Sequence, residues 1–315
     1  MGVIASRPAS APARLAHWTG SSRVLLRRLA VASVVLNVAI VVTGGAVRLT
    51  NSGLGCPTWP RCVGSSLVPR SKLGINGVIE FSNRTLTFVV GLTLLATLVV
   101  AWRQRTQVRL AVVALAGIPA QALLGGLVVL TDLNPWLVAA HFLLSAGIIA
   151  VTFLLWWRVA EQPSALAPMG VGLLTRGLGA ATLLVLAAGT VVTGTGPHAG
   201  DLKNGHVKRI DLPISAMTQL HADLVMVLIG LTVGTLAAAY SLHLATLRRA
   251  ALVLLGVELA QGVIGYTQYF LHVPPLLVGF HMLGACLVWV ATLRVLLTVR
   301  SPLSGDGREP VRRAG

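Results

Sequence analysis

Charge is scarce in this sequence. Only 11% of its 315 residues are Asp, Glu, Lys or Arg, under half the roughly 25% of an average soluble protein. A chain this poor in charge cannot coat a water-facing globule, and with 55% of its residues hydrophobic the expected solvent is lipid. Carboxylates are scarcest, 9 Asp and Glu against 25 Lys and Arg, for a formal net charge of +16. Such an excess would suit nucleic acid, but no basic stripe with interleaved aromatics exists, so no nucleic-acid partner is expected. A clear cleavage site is also lacking near the start, and the first apolar run is too long for a signal peptide.

What is present is a series of long apolar runs. Eight reach the ~20 residues that a ~30 Å hydrocarbon layer requires: about 24–46, 77–101, 110–130, 135–157, 177–195, 215–240, 250–271 and 274–297. Each is expected to be a helix, because a backbone in lipid must satisfy its own hydrogen bonds. Lys and Arg set the orientation. Seventeen fall in the tails and the connections after even-numbered runs, and seven on the opposite side, so both termini are expected in the cytoplasm. Residues 1–22, rich in Ala, Pro, Ser and Arg, read as a disordered tail. The fold expected is an all-α membrane protein of eight transmembrane helices, two pseudo-twofold-related four-helix bundles: tail 1–23, first half 24–158, linker 159–176, second half 177–297 and tail 298–315.

The chain is written twice. Q-A-L-L-G-G-L-V-V-L-T-D-L-N-P-W-L-V-A-A-H from Gln121 to His141 is followed, 140 residues on, by Q-G-V-I-G-Y-T-Q-Y-F-L-H-V-P-P-L-L-V-G-F-H from Gln261 to His281. Gln, Gly, Pro, Leu, Val and His recur at the same offsets. V-V-T-G closes both span 1 (Val41–Gly44) and span 5 (Val191–Gly194). An even number of spans per repeat makes the halves parallel, related by an axis along the membrane normal.

His141, His221 and His281 each lie about six residues into spans 4, 6 and 8, ~9 Å deep at ~1.5 Å per residue. In span 2, E-F-S-N-R (Glu80–Arg84) places Asn83 where the repeat leads one to expect a fourth His. Each half thus offers two facing positions, Asn83 with His141 and His221 with His281. Axial imidazoles on helices of a bundle suit a haem iron; the bland alternative is hydrogen bonding within the bundle. Zinc or copper is a third use of three His, but no thiolate or carboxylate cluster accompanies all of them.

Other polar residues stand in or near the spans. Glu80 lies one helical step from Asn83 and from Arg84, so the three share a face; it is either half of a structural ion pair or a proton-handling or charge-stabilising group. Glu258 suits proton or electron-donor chemistry or a local hydrogen bond. Asp223 lies ~200° round the helix from His221 and is not its orienting partner. Arg48 and Arg84 are candidates for pairing haem propionates, with snorkelling the plain alternative for Arg48. His198, in G-T-G-P-H-A-G-D before Asp201, is either solvated or at a cofactor edge. Cys56 and Cys62 flank P-T-W-P-R and form either a disulfide or a redox-active pair. C-x-x-C-H is absent, which argues against covalent haem attachment. Cys286 reads as a small buried apolar residue.

V-V-T-G-G-A-V-R-L-T-N-S-G-L-G-C-P-T-W-P-R-C (Val41–Cys62), E-F-S-N-R, V-V-T-G-T-G-P-H-A-G-D (Val191–Asp201) and the His of spans 4, 6 and 8 together resemble the haem A synthase family over about residues 24–297. The resemblance implies haem b on His221 and His281 in the C-terminal half. It implies haem O as substrate in the N-terminal half, on His141, with Glu80 near the reacting methyl and Arg84 as its partner or a propionate clamp. The product is haem A for terminal oxidase assembly. The family's E-x-x-H-R motif has its His replaced by Asn83, which leaves one firm axial ligand there and the other position open, weakly held or taken by water. A second cysteine pair found in some members is missing, and Thr58 stands where many carry an acid. The implied setting is a multi-pass protein of the cell membrane, supplied with haem O by a haem O synthase (a farnesyltransferase); a homo-oligomer is left open. The rival readings are a membrane b-type cytochrome for electron transfer or quinone oxidoreduction, and a haem transporter. The transporter lacks support from any pair of Gly/Pro-broken helices at mid-depth.

Overall fold

In the computed structural model, which describes residues 13–201 and 207–300, the eight apolar runs are helices long enough to cross a membrane. They are α1 (Ala13–Leu49), α2 (Gly74–Arg103), α3 (Val108–Leu130), α4 (Pro135–Val159), α5 (Met169–Thr195), α6 (Ile214–Ser241), α7 (Ala245–Phe270) and α8 (Pro275–Thr298). Two-residue strands β1 (Ala165–Leu166) and β2 (Val299–Arg300) pair in parallel and tie the α4–α5 connection to the end of α8. The protein is a multi-pass cell-membrane protein, and large side chains such as Phe88, Leu92, Phe270 and Leu276 point outward from the bundle, as lipid demands.

Three boundaries differ from expectation. Helix α1 begins at Ala13, within the stretch read as a disordered tail; residues 1–12 lie outside the described part, as do 301–315. Helix α5 begins at Met169 rather than 177, and α7 at Ala245 rather than 250. The reason is common to the last two. Arg176 and the pair Arg248–Arg249 stopped the apolar count, yet a helix is not obliged to end where hydrocarbon does, and arginines ride on its surface with their heads in the interface. Arg248 does so over the Tyr240 ring, 5.0 Å from its centroid.

Each half is a ring of four antiparallel helices. α1 packs on α2, α2 on α3, α3 on α4 and α4 back on α1; α5 to α8 close in the same way. The rings meet through α1 against α8, and through α4 against α5 and α8. That seam has its own core, including Val41, Ile149, Phe153, Leu186, Cys286 and Trp289. Cys286 is buried there, as read from the sequence. Trp289 donates Nε1–H across the seam to the Ala146 carbonyl at 2.8 Å, the partner a buried indole needs.

The repeat is visible in the turns. Asp132 and Leu133 take left-handed backbone between α3 and α4, and His272 and Val273 do so at the same offset between α7 and α8. Pro135 and Pro275 then open α4 and α8, where a missing N–H costs nothing and the fixed φ suits a helix start. Helix α3 contains Pro119 but runs through it unbroken, so no broken pair appears.

Candidate functional site

The second bundle brings two imidazoles together, edge to face. His221 sits near the start of α6 and His281 near the start of α8, on diagonal corners of the ring, and their ring centroids are 6.4 Å apart at 68° between planes. Each imidazole lies on a glycine of the adjacent helix. A Cβ on Gly189 would come within 3.2 Å of His221 Cε1, and one on Gly265 within 3.4 Å of His281 Cε1. Gln261 Nε2 donates to the His281 carbonyl at 2.6 Å, which locks α7 to α8 at the level of that ring.

This separation is what a metal between the rings requires. Two metal–imidazole bonds of about 2 Å, plus ~1 Å from each nitrogen to its ring centre, put the centroids roughly 6 Å apart. Nδ1 of His281 and of His141 is buried with no partner in hydrogen-bond geometry. No group of three or more His, Cys, Asp or Glu that could hold a metal occurs among the described residues. Two protein ligands alone do not hold zinc or copper firmly. They do suffice for an iron that brings four equatorial nitrogens of its own, so the residues fit a haem.

The first bundle repeats the scaffold and changes the ligand. His141 on α4 lies on Gly125 of α3, where a Cβ would stand 3.1 Å from His141 Cε1. Gln121 Nε2 donates to the His141 carbonyl at 3.1 Å, the counterpart of Gln261. On the diagonal helix α2, Asn83 accepts a hydrogen bond at its Oδ1 from Thr43 Oγ1 at 2.7 Å. The amide oxygen, its metal-binding atom, is thereby turned to α1, so His141 faces no second imidazole.

Glu80 and Arg84 form an ion pair on α2, as one reading of the sequence had it, with Arg84 donating to Glu80 Oε1 at 2.5 Å and, from Nε, at 3.1 Å. The pair does more than neutralise itself. Glu80 Oε2 accepts from the Cys56 N–H at 2.5 Å, while Arg84 donates to the carbonyls of Cys56 at 3.0 Å and Thr58 at 3.1 Å. Cys56 and Cys62 are joined in a disulfide. The outer loop is therefore clamped to α2 through a buried carboxylate and its guanidinium. Nε and both terminal nitrogens of Arg84 thus all donate to protein oxygens.

Arg48 and His198 also serve connection. Arg48 donates from Nε to the His198 carbonyl at 2.6 Å and from a terminal nitrogen to Thr193 O at 2.9 Å. His198 Nε2 bonds the Val273 carbonyl at 2.8 Å. Arg209, whose pKa is lowered by burial, donates to Pro197 O at 2.6 Å. These bonds pin the α5–α6 loop over α1 and the α7–α8 turn, so Arg48 is not simply snorkelling and His198 is not a solvated loop residue.

Glu258 accepts from Thr232 at 2.9 Å, the local hydrogen bond read from the sequence. Asp223 is bonded to Gln219 and not to His221. The glycine seats were not recognised from the sequence, although Gly125/Gly265 and Gln121/Gln261 stood there as repeated residues. Thr43 recurs as Thr193 in the repeated V-V-T-G, whereas Gly189 and Trp59 carried no such signal.

Two parallel four-helix membrane bundles, one with paired imidazoles spaced for an iron porphyrin and one with a single imidazole on the same scaffold, define a haem-handling membrane protein. The model of the family described as COX15-CtaA, cytochrome oxidase assembly protein, matches residues 27–77 and 75–293, and the chain belongs to that family. It is similar to the haem A synthase of Lysinibacillus sphaericus, 37% identical over 141 residues, covering 43% of this chain and 45% of the relative. It is 31% identical over 166 residues to that of Exiguobacterium sibiricum, covering 50% and 55%. The matched stretches span about half the length of these curated relatives.

Proposed function

We propose that this protein is a haem A synthase that oxidises the C8 methyl of haem O to a formyl group. The methyl is oxidised in two two-electron steps, each taking oxygen from water and passing two electrons to an external electron acceptor and two protons to solvent, through an alcohol and then a hydrated aldehyde that loses water. His221 and His281 hold a resident haem b, which supplies one-electron redox chemistry when bound. His141 holds the iron of haem O in the first bundle, and the lack of an imidazole at Asn83 leaves that substrate replaceable. Glu80, fixed by Arg84 and the Cys56 N–H, supplies negative charge beside the reacting methyl and keeps the disulfide loop over the bundle. Arg48 is the guanidinium that meets a propionate. Haem O arrives from a haem O synthase, a farnesyltransferase of the same membrane; both termini are cytoplasmic, and the product serves terminal oxidase assembly.

The observation that carries this reading is the 6.4 Å spacing of His221 and His281, set beside a first bundle with the same glycine and glutamine supports but one imidazole. The second reading, a b-type cytochrome, draws on that same missing imidazole. Haem extraction from the purified protein, expressed with a haem O source, separates them. Haem B together with haem A is the expected outcome. Haem B alone supports the cytochrome, and a colourless protein removes both.

A further inference from the structure

The loop that carries the disulfide reaches from one helix of the first bundle to another. Its base is bonded to α2 through Glu80 and Arg84 at Cys56 and Thr58. The next residue, Trp59, lies on α3. A Cβ on Gly126 would stand 2.5, 2.8 and 2.9 Å from Cδ2, Cε2 and Cε3 of the indole. Only a glycine leaves room for that ring.

Gly126 follows Gly125, the seat of His141. Successive helical residues point ~100° apart, and from one corner of a four-helix ring the two neighbours lie at about that angle. Gly125 faces α4 and its imidazole, and Gly126 is turned toward the α2 side. Trp59 therefore fills the α2–α3 side at the level of the candidate substrate ligand.

Among the described residues, the second bundle shows no such cover. The repeat pairs Gly125 with Gly265 but Gly126 with Tyr266, so this position, 56% exposed, offers no glycine seat for an indole. Its own outer loop is drawn away to Arg48 and to Val273. Among the described residues, it is the half with one imidazole that is roofed on this side.

We infer that Trp59, seated on Gly126, is a substrate-positioning residue that closes the first bundle over haem O and holds the porphyrin through the successive oxidations. A cofactor gripped by two axial ligands needs no such roof. A substrate gripped by one, which must stay through an alcohol stage and then leave, does. The inference rests on the haem A synthase reading and assigns Trp59 retention and commitment, not electron transfer.

The test uses the full-length protein purified with haem O supplied in the cell, plus titration of the haem-free first bundle site with added haem O. Trp59→Ala should keep the haem b spectrum and lose co-purified haem O and haem A by about three- to tenfold, the value of one aromatic contact. It should release a larger share of the alcohol and raise KM more than it lowers kcat. Trp59→Phe should fall between. Gly126→Ala, whose methyl takes the indole's place, should reproduce Trp59→Ala, and Tyr266→Phe should leave every readout at the wild-type level.

Wild-type haem O retention and alcohol share in both Trp59→Ala and Gly126→Ala, with haem b intact, would overturn the inference. If Trp59→Ala fails to carry haem b, Gly126→Ala and Trp59→Phe decide. A wild-type protein that binds added haem O but yields no haem A sinks the activity reading, and the binding curves still judge Trp59. A wild-type protein that binds no haem O removes both.

Discussion

The two halves share a backbone plan and differ at a few side chains, and those differences separate holding from processing. Both bundles seat an imidazole of their fourth helix on a glycine of their third, Gly125 under His141 and Gly265 under His281. Both bond that histidine's carbonyl to a glutamine one helix away. The second bundle adds His221 on the diagonal helix; the first has Asn83 there, turned to Thr43. The first bundle alone carries a disulfide loop clamped by a buried ion pair. The repeat supplies one scaffold, and on the function proposed above the second ligand and the cover are what would distinguish a resident group from a passing one.

The sharpest way to break this comparison is to remove an imidazole from the half that has two. His221→Ala or His281→Ala should abolish the b-haem absorption of the purified protein, because a lone axial ligand remains; a retained low-spin spectrum refutes the pairing. Next in size is Glu80→Gln, which should keep haem b but lower haem A output about tenfold or more, with haem O accumulating. It removes a buried charge-assisted bond of ~1.5–3 kcal/mol that anchors the loop. Normal haem A on extraction would show that the first half does not depend on its clamp.

A gentler change makes the halves more alike. Asn83→His should give a more low-spin substrate-haem spectrum and tighter retention, lowering turnover, since a second imidazole opposes product release. An unchanged spectrum would mean that position 83 does not face the ring. The smallest effects concern the seats. Gly125→Ala puts a methyl 3.1 Å from His141 Cε1 and should weaken haem O binding several-fold, about 1 kcal/mol. Gly265→Ala meets His281 at 3.4 Å and should stay within about 0.5 kcal/mol, read as an unaltered haem b content. Equal losses at both sites would contradict the difference in fit.

Much of this was legible without coordinates. The eight spans follow from apolar length, and the three histidines at matching depth follow from the internal repeat. Where reading by hydropathy failed, at the starts of α5 and α7, it failed because arginines on a helix surface end an apolar run without ending the helix. The loop-pinning bonds of Arg48, Arg84 and His198 were illegible for a related reason. A cation near a proposed haem invites pairing with its acids, but these side chains spend their donors on backbone carbonyls of loops distant in sequence, Thr58, Thr193 and His198.

The sequence by itself determined the solvent, the number of crossings and the duplication, because transfer of apolar side chains and the hydrogen-bond demand of a backbone in lipid are local properties summed along a run. It also determined that one half has two intramembrane imidazoles and the other one. Only the tertiary structure decided that His221 and His281 meet at iron-binding distance, that Glu80 and Arg84 grip the disulfide loop, and that Trp59 settles on Gly126. Those outcomes depend on which faces of separate helices meet and at what height, and that is fixed by close packing between residues far apart in the chain.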